Sequence, residues 1–158
     1  MVVRNAYPTG GKLITTTIGE DLLLRNCSPD ECRTLTAILQ TAGLYESGVD
    51  SEEALRAKLA HDPESIIVLA VGGYIRGMVV TIFDPWASSL WHLTVDPIWQ
   101  GRGYGRLLAE EAEKRLKSRG ARIVIGYVRE DNVGSRALFK KRGWGEFPMP
   151  IIPIEKKL

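Results

Sequence analysis

The sequence predicts an α/β (α+β) domain built on a mixed sheet, an antiparallel meander followed by a parallel strand, with helices on both faces. Three observations predict it. Short β-branched and apolar runs at 65–71, 74–83 and 90–95 are separated by the turn signals Gly72-Gly73 and Asp84-Pro85, the pattern of a meander. Two stretches with helical spacing come before those strands. A third lies between Val95 and Ile123, and a helical crossover returns the chain parallel to the strand it left.

The chain has 158 residues, enough for a single domain over 1–158, with 1–19 as an N-terminal arm of unassigned structure. With 44% hydrophobic and 25% charged residues it belongs with folded globular chains, not disordered ones. The absence of a long apolar run or a signal-like N-terminus points to a cytoplasmic protein with no membrane partner. Net charge is +2, but the segment from Pro97 to Arg142 holds 12 lysines and arginines against 5 acidic residues. That suits an anionic ligand, and it also suits two amphipathic helices with solvated basic faces. Without a stripe of interleaved basic and aromatic residues, nucleic acid is not an expected partner. Cys27 and Cys32 have no second Cys/His pair at ligand spacing, so they read as structural thiols and no metal is expected.

In chain order, Gly10-Gly11-Lys12 is rejected as a phosphate loop, because Ala6 and Leu13 stand where that motif needs glycine and a hydroxyl. Asp21–Arg25 reads as a short strand. Ser28-Pro29-Asp30-Glu31 opens a helix with an N-cap, a proline in its first turn and a capping-box glutamate, and Gly43 stops it. A second helix runs from Asp50, with Glu53 three residues on, to Asp62-Pro63. The meander follows and closes at Asp96-Pro97. Leu108, Ala112 and Leu116 mark one face of the next helix, which Gly120 ends. Alternation around Ile123, Ile125 and Tyr127 predicts a strand buried on both faces. Asp131-Asn132 caps a last helix ending near Gly143. The stretch from Phe147 to Ile154, cut by three prolines, reads as an edge strand.

The strand ending at Val95 and the helix starting near Tyr104 are joined by Gln100-Gly101-Arg102-Gly103-Tyr104-Gly105. Glycines let a backbone approach a bulky group, and a helix start offers free N–H groups to a phosphate. The spacing is G-x-G-x-G, not the G-x-G-x-x-G of dinucleotide domains, and a meander precedes it. From Trp91 to Trp144 the sequence resembles the GNAT superfamily of N-acetyltransferases. Leu93-Thr94-Val95-Asp96-Pro97 and Gln100-x-x-Gly103-x-Gly105 carry the first part of the likeness. Asn132 through Ala137-Leu138-Phe139 to Arg142-Gly143-Trp144 carries the second.

The resemblance implies acetyl-CoA as co-substrate and direct transfer of its acetyl group to a primary amine, on a small molecule or a peptide. It implies a pyrophosphate held by Gln100, Gly101, Arg102, Gly103, Tyr104, Gly105 and Arg106. It further implies parallel strands that splay, with the pantetheine arm beside Leu93, Thr94 and Val95, and an oxyanion donor at the Leu93 N–H. Asn132 and Phe139 fall at cofactor-contacting positions, and Asn132 equally serves as an N-cap. Homodimers are common in the family.

The chain departs from the family pattern where acid and base are expected. Phe139 stands where many relatives carry a tyrosine that protonates the leaving thiolate, and phenylalanine has no proton to give. Tyr127 stands where some carry a glutamate base, and is a candidate to orient the amine or replace the acid. His92 has the titration range of a base, but regular alternation turns it away from the face shared by Trp91 and Leu93; only a bulge changes that. Glu130 and Asp131 read as loop and helix-start charges, and Trp91, Trp99 and Trp144 as packing residues. The missing acid and base leave open a non-catalytic acyl-CoA-binding regulatory module, and the glycine loop alone leaves open a nucleotide-phosphate binder. Acidic residues between Glu46 and Glu64 fit either a solvated helix face or a cationic acceptor.

Overall fold

In the computed structural model, the structure describes residues 15–17, 21–148 and 154–156. The Gly10-Gly11-Lys12 stretch and most of the predicted arm lie outside them. Two compact units divide the chain, Met1–Gly126 and Tyr127–Leu158.

The first unit is a six-stranded sheet whose spatial order is its sequence order. Its strands are β1 (Thr15–Thr17), β2 (Leu22–Asn26), β3 (Ile66–Val71), β4 (Tyr74–Ile82), β5 (Ser88–Val95) and β6 (Val124–Gly126). The first five pair antiparallel in succession, and β6 pairs parallel to β5. The arm therefore contributes one short strand, paired with β2. The helices of this unit are α1 (Cys32–Thr41), α2 (Glu52–His61) and α3 (Tyr104–Ser118), and α3 makes the crossover that a parallel β5–β6 pair requires.

Residues in register share a face of the sheet, which separates two cores. On one face Ile66, Val68, Met78 and Val80 form a cluster with Leu35, Ile38 and Leu39 of α1 and Leu55 and Leu59 of α2. On the other face α3 packs its buried Leu108, Ala109, Ala112 and Leu116 over β3, β4 and β5. Gly77 permits that approach: a Cβ there would stand 3.0 Å from Leu108 Cδ1 and 2.9 Å from the Thr94 carbonyl oxygen. The buried Arg115 of α3 donates to Glu111 at 2.8 Å and also to Asn26 Oδ1, so its charge is paired where water is excluded.

Local signals placed most boundaries. Glu31 accepts the Ser28 N–H at 2.9 Å, and a 3-10 turn over Pro29–Glu31 leads into α1. Two expectations are corrected. The second helix is capped by Ser51, whose hydroxyl accepts from the Ala54 N–H, and not by Asp50. β6 is three residues long and half-buried, with Ile123 and Tyr127 exposed at its ends, so it is no doubly buried strand. The last proline-cut stretch forms no strand at its described residues, Phe147, Pro148 and Ile154, and the rest of it lies outside the description. None of the described helices is long and apolar enough to cross a membrane.

The second unit holds α4 (Val133–Lys141). Asn132 caps it, Oδ1 accepting the Ser135 N–H at 3.0 Å. The Phe139 ring rests against Trp144 with centroids 4.8 Å apart.

Candidate functional site

The glycine loop is tied down where it leaves β5. Asp96 Oδ1 accepts the Ile98 N–H at 3.2 Å, and Gln100 Nε2 donates back to the Val95 carbonyl at 3.0 Å. The Gln100 side chain thus clamps the end of β5 to the start of the loop. Arg76 and Arg102 lie over the Trp99 ring at 4.6 and 4.7 Å, and Tyr104 stacks beside it. Arg106 is exposed and pairs with Glu110 at 3.1 Å. Trp99 is therefore a packing residue, and it holds Arg102, the arginine of the loop.

Gly103 is the N-cap of α3 at φ 81°, and Gly101 stands at φ 76°. Positive φ favours glycine at both positions. At each, a Cβ would point into open space with no atom within 4 Å. Having no side chain, Gly103 cannot cap α3, so the N–H groups of the first turn and the positive end of the dipole there receive no side-chain cap. This arrangement fits a diphosphate, with Arg102 and Arg106 adding cationic charge nearby.

β5 changes character along its length. Ser88, Ser89 and Leu90 pair with β6 on one edge, and β4 lies along the other. The β6 pairing ends at Leu90↔Gly126, while β5 runs on through Trp91, His92, Leu93, Thr94 and Val95 along β4. The edge that turns away from β4 at Leu93, Thr94 and Val95 has no strand partner among the described residues. The Thr94 hydroxyl, on the α1 face, is buried without a hydrogen-bond partner among the described residues.

A bulge sits where the two halves meet. Met78 pairs with Thr94 and Val80 with Trp91, so Val79 alone spans His92 and Leu93. His92 adopts φ 47°, the only non-glycine residue with positive φ among those described. That conformation costs a side-chain-bearing residue about 1–2 kcal/mol. The expectation of regular alternation fails here. The bulge brings His92 to the segment between α1 and α2, with Nε2 2.9 Å from Asp50 Oδ1.

Asp50 is held at every polar atom and is only 2% exposed. Oδ2 accepts the Glu46 N–H at 2.8 Å, its own N–H donates to the Glu46 carbonyl at 2.9 Å, and its carbonyl accepts from Thr36 Oγ1 at 3.0 Å. Sequence reasoning passed over this residue as a helix start. The available signal was Ser51, a good N-cap that left the aspartate beside it with no capping task.

Tyr127 is exposed, Asn132 engages its side-chain oxygen in the helix cap, and Phe139 is buried on Trp144. Asp131 pairs with Arg129 at 2.7 Å on the surface, as expected of a loop charge. Cys27 and Cys32 are buried free thiols; burial pushes both up in pKa, and the neighbouring Cys32 pushes Cys27 further. Among the described residues no group of His, Cys, Asp and Glu is arranged to hold a metal. A cavity of about 270 Å³ lined by Ile38, Thr41, Tyr74, Arg76 and Asp96 lies on the α1 face and contains none of the predicted site residues.

Comparison with known proteins gives a consistent picture. Residues 33–144 match the Acetyltransferase (GNAT) family. An acetyltransferase of Photorhabdus laumondii is 32% identical over 129 residues, 82% of this chain and 90% of that protein. Among solved structures, the ribosomal-protein-S18-alanine N-acetyltransferase of Escherichia coli superposes with a TM-score of 0.68 at 23% identity, covering 80% of this chain and 79% of that one. The PaiA N-acetyltransferase of Thermoplasma acidophilum, in complex with coenzyme A, superposes with a TM-score of 0.64 at 21% identity, covering 77% and 87%. At such identities the structural likeness speaks to the fold.

Proposed function

This chain belongs to the GNAT acetyltransferase family, and on that premise we propose that it transfers acetyl from acetyl-CoA to a primary amine by direct attack within a ternary complex. The two units act as one acetyltransferase domain in this reading, since the family match runs across their boundary. The observation that carries it is the uncapped α3 start at the end of a strand half that lacks a second partner.

In this reading the main-chain amides from Gly101 to Arg106 hold the diphosphate, with charge from Arg102 and Arg106. The open edge at Leu93–Val95 takes the pantetheine arm by main-chain pairing, in the manner of an added strand. Gln100 acts on the loop, fixing its geometry through Val95. Asn132 and Phe139 stay as proposed cofactor contacts on the strength of the family pattern. When bound, acetyl-CoA supplies an acetyl group activated as a thioester, whose sulfur departs as the thiol. In this reading the Leu93 N–H steadies the oxyanion, and an ammonium acceptor first surrenders a proton. His92 is the residue for that proton, and Tyr127 the alternative for orienting the amine. The acceptor is a primary amine, the class to which the S18 alanine amino group of the Escherichia coli neighbour belongs.

Calorimetry with acetyl-CoA, followed by thiol release across an amine panel, tests the reading. Wild-type protein should bind the coenzyme, and Gly103→Glu should lower affinity by about 100-fold or more, because a carboxylate in the anion cradle reverses its electrostatics. Absence of binding to wild type at high micromolar coenzyme overturns it.

A further inference from the structure

We propose that Asp50 is a positioning residue for acetyl transfer: its buried carboxylate holds the Nε2–H of His92, so that Nδ1 is the atom that takes the acceptor's proton. The inference deepens the reading above and rests on it.

A carboxylate has only acceptor sites, so the ring nitrogen 2.9 Å from Oδ1 must be the donor. Neutral imidazole carries one N–H, which leaves the lone pair on Nδ1. Asp50 cannot turn away, because Oδ2 is engaged by the Glu46 N–H and the main chain is fixed by Glu46 and Thr36. His92 cannot relax easily either, because the bulge sets its backbone at φ 47°. A left-handed histidine in a strand is a strained state, and it persists here beside the Leu93 edge that the coenzyme would occupy. The two residues are 42 positions apart, yet the pair bridges the α1–α2 segment to the point where β5 loses its second partner. With 17% of its side chain accessible, His92 is reachable, while Asp50 at 3% is sealed from solvent. That is the division expected of a proton acceptor and the group that orients it.

In the proposed step an N–H bond of the acceptor ammonium breaks and its electron pair stays on the substrate nitrogen. The proton is held at Nδ1, and the imidazolium is balanced by the Asp50 carboxylate. It leaves to solvent after turnover.

The experiment reads the tautomer in the free protein, independently of turnover. Nitrogen-15 shifts of the imidazoles are recorded near pH 8.5, where an ordinary histidine is neutral. The chain has 2 histidines, so His61→Gln assigns the signals. Wild type should show His92 protonated on Nε2. In Asp50→Asn the amide oxygen keeps the Glu46 N–H, its NH2 turns to Nε2, and the ring proton moves to Nδ1. The same variant should lose about 100-fold or more in kcat, with its acetyl-CoA Kd within about threefold of wild type. The proposal is overturned by an Nδ1-protonated wild type, by an unchanged tautomer in Asp50→Asn, or by a switched tautomer with unchanged kcat. Should Asp50→Asn fail to fold, the wild-type tautomer and the kcat of His92→Ala decide, and a loss under about tenfold overturns it. A wild type that shows the Nε2–H pair but binds no acetyl-CoA brings down the reading of the previous section, and with it any part for the pair in transfer.

Discussion

The two halves of β5 differ by one edge. Ser89 and Leu90 lie between β4 and β6, Ser88 pairs with β6, and Ser88 and Leu90 are buried. From Leu93 to Val95, β4 is the one strand partner among the described residues, and Trp91 before them is 42% exposed. Main-chain N–H and C=O groups in a sheet interior normally satisfy each other. A strand that pairs fully and then gives up one partner midway therefore offers its remaining groups to something that is not a strand. The bulge falls at the changeover, and the one left-handed side-chain-bearing residue among those described falls within the bulge. One half of the strand supports the sheet; the other displays main chain and a single imidazole.

Substitutions on each half should separate these duties. His92→Ala, on the open half, is expected to lower kcat by about 10²- to 10⁴-fold while acetyl-CoA affinity stays near wild type. Tyr127→Phe should leave kcat within about threefold, since a hydroxyl that only orients the amine contributes little beside a base. Steady-state rates at saturating substrates decide, and equal losses in the two variants would remove the special standing of the bulge. On the paired half, Leu90→Ala should cost about 2–5 kcal/mol of stability by denaturant titration, the range for a buried leucine. Its folded fraction should bind acetyl-CoA as wild type does. A binding defect there would mean that the halves are not independent.

Most of this architecture was legible in local chemistry. The Ser28–Glu31 and Asn132 helix starts and the Gly72-Gly73 turn each follow from residues within a few positions of one another, and the crossover into a parallel strand follows from the order strand, helix, strand along one continuous stretch. The positive-φ glycines and the uncapped start of α3, on which the proposed phosphate cradle rests, were legible for the same reason, because Gly101, Gly103 and the first residues of α3 are contiguous. The Asp50–His92 pair was not legible. It depends on a register shift between β4 and β5, which arises from how two strands fit and leaves no mark of its own in either. The shortness and half-exposure of β6 were not legible for a related reason: Ile123 and Tyr127 alternate as strand residues do, but the sheet releases the chain after Gly126. Periodicity reports what a segment could pair with, not how long its neighbour stays beside it.

The strain at His92 can be weighed on its own. His92→Ala and His92→Gly both delete the imidazole and leave Asp50 buried without that partner, so the two variants share this loss. They differ in backbone preference alone, since glycine adopts φ 47° freely and alanine does not. The glycine variant should therefore be the more stable of the two by about 1 kcal/mol, the reverse of the usual order within a strand. Paired denaturant titrations measure the difference. An alanine variant as stable as the glycine one would mean that β5 straightens once the ring is gone, so that the Asp50 contact, and not the fit of the strands, creates the bulge. Equal inactivity in both, together with the stability gap, would show a backbone shaped for an imidazole that the fold itself does not need.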